Sequence, residues 1–211
     1  MPFSSPRRAR STEHVRTTTV APPLLRRWAR YQQHLVAAIA PLTAEQLSLR
    51  TTPRHWTIRM YATHIIANRA WWFHARMGEG GDEVTPYELW ALDVCEADVD
   101  PGHTAAELVA GLEQTWRLIE ETLARLTPTD LARTVPPLDE AGRERRAKLV
   151  EPRLQPYARM WLEASRRTNV ARPAVPIHSI VWGILEHDIH HGSEISTTLG
   201  IHGLPVLDLD D

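Results

Sequence analysis

Apolar side chains recur along most of this chain at alternating steps of three and four, the spacing of one face of an α-helix. Leu24, Leu25, Trp28, Tyr31, Leu35 and Ile39 form the first such stripe, after a Pro22-Pro23 pair that suits a first helical turn and before Pro41, which ends it. Tyr61, His64, Ile65, Asn68 and Trp72 form the second, on a helix starting near Thr57 and ending in Gly78, Gly80 and Gly81. Leu108, Leu112, Thr115, Ile119, Thr122 and Leu126 form the third, opened by Thr104-Ala105-Ala106-Glu107 at capping-box spacing. The fourth is Ile177, Ile180, Ile184, His187, His191, Glu194 and Thr198, with Gly200 expected as its C-cap. No stretch of any length alternates with strand period, so the pattern predicts an all-α four-helix bundle.

The connections are uneven. Thr43-Ala44-Glu45-Gln46 predicts a short helical turn capped by Thr43. Asp82 to Gly102 is a long acidic connection with one short helix, of a length that suits a segment shaping or covering a pocket. From Thr127 to Pro176 the prolines at 128, 136, 137, 152, 156, 173 and 176 break any long element. Within that stretch Asp139 to Lys148 reads as a solvated loop or helix, and Pro156 to about Arg167, with Tyr157, Met160, Trp161 and Leu162, as one more helix. This loop-rich insertion before the last helix is the expected place for a protomer contact. Residues 1–21 read as a flexible tail and 22–211 as a single bundle domain.

The fourth stripe begins apolar and turns polar. His187 and His191 are four residues apart, so their rings project from one face about one turn from each other, as in a pair that chelates a single ion. On that helix alone the plainer reading, two hydrogen-bonded core histidines, stays open. His64, on the second stripe, is the third candidate ligand. Three neutral imidazoles leave a tetrahedral zinc one open position, or an octahedral nickel, iron or manganese three, which is the layout of a catalytic centre.

Asn68, one turn beyond His64, and Glu194, about one turn beyond His191, are candidates to orient a ligand or to handle a substrate proton; a buried salt bridge is the other reading of Glu194. His190 points about 60° from His187 and about 100° from His191 around the helix, which makes it a flanking residue. The string His187-Asp188-Ile189-His190-His191 superficially resembles HExxH, but Asp is shorter than the glutamate base of that motif. Trp71, Trp72, Trp90 and Trp182 are candidates to line an apolar pocket, or else core.

Composition narrows the chemistry. The 211 residues carry a net charge of -2, and the only basic cluster, Arg7, Arg8 and Arg10, lies in the tail, so neither nucleic acid nor a membrane is an expected partner. No run approaches the roughly 18 apolar residues of a membrane span. The single Cys95 excludes an intramolecular disulfide and a multi-cysteine zinc site and points to the cytoplasm. A transition metal here must be held by histidine and carboxylate.

Two histidine-bearing stretches carry a family likeness. Trp56-Thr57-Ile58-Arg59 opens the helix with His64, and Glu186-His187-Asp188-Ile189-His190-His191-Gly192-Ser193-Glu194-Ile195 precedes Gly200-Ile201-His202-Gly203-Leu204-Pro205. Together they resemble the DinB-like superfamily, which includes the YfiT-like metalloenzymes and, more distantly, the mycothiol-dependent maleylpyruvate isomerase. The resemblance spans about Pro22 to Asp208. It implies a four-helix bundle with a divalent metal held by His64, His187 and His191, zinc or nickel first and iron or manganese next. It implies further a thiol-dependent S-transferase or isomerase acting on a small electrophile, with a low-molecular-weight thiol as co-substrate, and a homodimer. The best-known thiol-dependent relatives can have Glu at the first position of the pair, where this chain has His187. Two other functions stay open: a metal-dependent hydrolase that uses no thiol, and a non-catalytic bundle in which the cluster stabilises a stress-related or ligand-binding protein.

Overall fold

The structure is a computed structural model, and it describes residues 22–90, 100–149, 159, 163 and 174–207. The tail over 1–21, Cys95, and the helix expected from Pro156 to about Arg167, apart from Arg159 and Glu163, lie outside the described residues.

Four long helices make the bundle: α1 (Pro22–Ile39), α3 (Ile58–Ala70), α5 (Ala105–Arg125) and α8 (Ile177–Ile201). Short helices fill the connections: α2 (Ala44–Leu47), α4 (Thr85–Leu89), α6 (Pro128–Ala132) and α7 (Glu140–Leu149). The expected caps form. Thr43 and Thr104 each close a capping box, and the Thr57 hydroxyl accepts from the Met60 N–H to start α3. Strands of two residues each, β1 (Thr134–Val135) and β2 (Val175–Pro176), pair antiparallel and pin the start of α8 to the segment after α6. The Ile177 N–H continues that link by donating to the Arg133 carbonyl at 2.9 Å.

α3 is the central helix, packed against α8 on one side and α5 on the other, while α1 packs on α5. This explains a departure from the one-stripe pattern: α3 is buried on nearly every side, from Ile58 through Ala70, with only His64 and Asn68 partly open to solvent. Buried Arg59 fixes its start, donating from Nε to the His103 carbonyl at 2.8 Å and from Nη2 to the Ala44 carbonyl at 2.9 Å, and pairing through Nη1 with Asp100 at 2.6 Å.

Two boundaries differ from the sequence pattern. The second helix continues past Ala70 as a π-helical turn, Trp71–Arg76, in which the Met77 N–H reaches back to the Trp72 carbonyl at 3.0 Å. α8 runs through Gly200 to Ile201, and the chain turns at Gly203, whose φ of 69° is the left-handed conformation that glycine adopts without strain. Asp139 to Lys148 is largely helix α7.

Candidate metal centre

The packing of α3 on α8 sets His64 opposite His187 and His191. Ring centroids lie 4.7 Å apart for His64 and His187, 4.9 Å for His64 and His191, and 4.4 Å for His187 and His191. One ring nitrogen from each falls within 4.8 Å of the other two, and all three residues are half-buried.

Burial sets their charge. It holds His64 down to about 4, with the neighbouring His191 as a second cause. His187 is held lower still, first by burial and then by His64 and His191. His191 is also lowered, because burial outweighs the Glu194 carboxylate pulling the other way. All three are therefore neutral at pH 7, the form in which imidazole ligates a metal.

The tautomer of His191 follows from its partner. A carboxylate oxygen only accepts, so His191 Nδ1–H donates to Glu194 Oε2 at 2.6 Å and the lone pair is on Nε2. The Tyr61 hydroxyl donates to Glu194 Oε1 at 3.2 Å and steadies that carboxylate; burial and the same carboxylate push the hydroxyl up to about 12. His187 Nδ1 is buried and has no hydrogen-bond partner among the described residues, a costly state for a ring nitrogen. Three neutral imidazoles within reach of one another fit a divalent transition metal, whose bonds to imidazole are about 2.0–2.1 Å.

The sequence model of the DinB superfamily matches residues 27–195, most of the chain, and all three histidines and Glu194 fall inside the match. The chain belongs to the DinB superfamily. Its fold is similar to that in the crystal structure of a DinB-like protein from Bacillus cereus, with a TM-score of 0.53 at 17% identity over 86% of this chain and 92% of that one. No curated protein matches. Members of the superfamily commonly bind metal, and this one has a histidine cluster that could hold an ion.

Around the cluster, this DinB-superfamily chain departs from its sequence pattern in three ways. The aromatic wall is Trp56; of the tryptophans read as pocket lining or core, Trp72 and Trp90 pack against the core. The Trp56 ring lies 5.1 Å from that of His64, edge to face, and stacks 6.0 Å from His191. Trp71 and Trp72 meet the Arg76 guanidinium, Trp90 stacks on His103 at 3.8 Å, and Trp182 is 62% exposed. Secondly, Asn68 is half-buried but hydrogen-bonds neither His64 nor any other described side chain. His190 lies at the rim, mostly exposed, with Nε2 3.8 Å from Glu194 Oε2.

Thirdly, Asp188 is fully buried and paired with an equally buried Arg69. Sequence reading passed over this pair, although a signal was present. Asp188 follows Ile184 by four on the apolar stripe of α8, and Arg69 follows Ile65 by four on that of α3. A charge of each sign on two core-facing stripes is an invitation to pair.

Proposed function

We propose that this chain is a metal-dependent enzyme that joins a low-molecular-weight thiol to a small electrophilic molecule, by S-transfer or by isomerisation through a thiol adduct. The observation that carries the reading is the cluster of three neutral imidazoles from His64, His187 and His191. Zinc or nickel suits such donors, ahead of iron or manganese, and supplies Lewis acidity that lowers a thiol pKa from about 8.5 toward the physiological range.

The remaining roles fall to the chain itself. Glu194 holds the proton of His191 on Nδ1, which fixes that ring, and its side chain is open enough, at 30%, to accept the proton given up by the thiol. Tyr61 stays protonated and anchors the carboxylate. The Asn68 amide, one turn along α3 from His64, is available to hydrogen-bond the substrate. Trp56 shields one side of the cluster from water. In transfer the sulfur forms a bond to the electrophilic carbon as that carbon's bond to a halide or epoxide oxygen breaks; a halide departs with the electron pair, whereas an epoxide oxygen keeps the pair, stays on the product and takes a proton. In isomerisation the sulfur adds to one carbon of the conjugated alkene, the former double bond rotates, and the same C–S bond breaks to return the thiol.

Elemental analysis of tag-free protein purified without added metal or chelator tests the centre. About one equivalent of zinc or nickel is expected in the wild type and none in His187→Ala. Metal-loaded protein is then assayed with mycothiol, bacillithiol and glutathione against a panel of epoxides, halides and conjugated alkenes. Acceleration of none of these, or activity that persists in thiol-free buffer, overturns the thiol reading.

A further inference from the structure

The three candidate ligands come from two helices, so their spacing depends on how α3 and α8 slide and turn against each other. A shift of one residue moves a helical side chain about 1.5 Å along the axis and about 100° around it, enough to dismantle a three-nitrogen site. Apolar packing alone specifies such a register weakly, because cores of the right volume accept several arrangements.

Beside the histidines lies a buried group that specifies it strongly. Asp188 is next in sequence to His187 and three residues before His191; Arg69 is five residues after His64. Asp188 Oδ2 accepts from Arg69 Nε at 2.9 Å and from Trp28 Nε1 at 3.1 Å, and lies 2.8 Å from Arg69 Nη2, an ion-pair contact off the hydrogen-bond direction. Arg69 Nη1 donates to Gln32 Oε1 at 2.7 Å, and Gln32 Nε2 donates to the Leu112 carbonyl at 3.0 Å. The Tyr31 hydroxyl donates to the Asp188 carbonyl at 2.5 Å. The network around this one residue thus ties together α1, α3, α5 and α8.

Access to that carbonyl depends on a missing side chain. A Cβ at Gly192 would lie 1.7 Å from the Tyr31 hydroxyl oxygen, so that hydroxyl keeps its place against α8 only because residue 192 has no side chain. Both charges of the ion pair are completely buried. Such a pair gives little net stability over an apolar pair of similar volume, since desolvation offsets attraction; what it can supply is a single arrangement.

We propose that the Arg69–Asp188 pair is a positioning device that sets the register of α3 against α8, and with it the geometry of the three-histidine centre, and that it is not what keeps the bundle folded. This rests on the metal reading of the cluster.

The test compares full-length wild type, Arg69→Met/Asp188→Leu and Arg69→Lys by thermal melt, by zinc affinity in chelator competition, and by the visible absorption of the cobalt-loaded protein. The double variant is expected to fold and melt cooperatively, at a somewhat lower temperature because the Trp28 N–H and Gln32 Oε1 lose their partners, while zinc affinity falls about 10- to 100-fold and the cobalt bands shift. Arg69→Lys keeps the charge but loses the fork, and is expected to lose affinity by a smaller factor. Wild-type affinity and bands in both variants overturn the proposal. So does a double variant that fails to fold, because the pair would then be a stability element. Wild-type protein that takes up neither zinc nor cobalt is a different result: it removes the metal reading itself.

Discussion

Two polar clusters lie side by side on α8 and differ in charge and in access to solvent. Around Asp188 the protein supplies the partners: an arginine, an indole N–H, a glutamine beyond them, and full burial. At His64, His187 and His191 it brings three neutral rings together, leaves them half open, and gives the buried Nδ1 of His187 no described partner. The first cluster pairs two opposite charges away from water, with Asp188 Oδ1 and Arg69 Nη2 left outside its hydrogen bonds. The second is neutral and half open, and neutral imidazoles gathered where solvent can reach them are where a ligand can bind.

The largest expected effect is at the closed cluster. Asp188→Ala leaves the Arg69 guanidinium buried and unpaired, and should cost about 3–5 kcal/mol in urea unfolding. His187→Ala in metal-free protein should cost far less, and similar losses in the two variants would break the contrast.

Next comes pH. His64 titrates near 6.5 when unfolded and at about 4 when folded, so between those values the unfolded chain binds the extra proton. Stability from this group is complete above pH 6.5 and is lost as pH falls toward 4, by up to about 3 kcal/mol. Melts of the metal-free protein across that window should show a steep decline, flattened in His64→Ala.

Glu194→Ala removes the acceptor that orients His191 and should weaken zinc binding about 10- to 100-fold with little change in melting temperature. The smallest effect belongs to Trp182→Ser, at an exposed position of α8 away from both clusters, which should alter stability by no more than about 0.5 kcal/mol.

Much of this was legible in the chain. Helix-period stripes gave the four long helices close to their observed bounds, and the cap signals at Thr43 and Thr104 gave the starts of α2 and α5, because periodicity and capping are local properties. The i, i+4 spacing placed His187 and His191 on one face, and His64 stood out as a histidine on a core stripe. The π-helical turn was hidden, since a reach of five residues leaves no mark on a pattern read at 3.6 per turn. Trp72 still packs against the core, and Trp56, ahead of α3, is the tryptophan that meets the histidines.

By itself the sequence determined the helices, their caps and the three imidazoles that face the core. Only the tertiary structure decided that Arg69 meets Asp188 across 119 residues of chain, that Tyr61 and Glu194 orient His191, and that α3 is enclosed on nearly all sides. The reason is physical: a helix face follows from spacing along one segment, whereas a partner depends on how two segments rotate and slide against each other, and that is settled by packing.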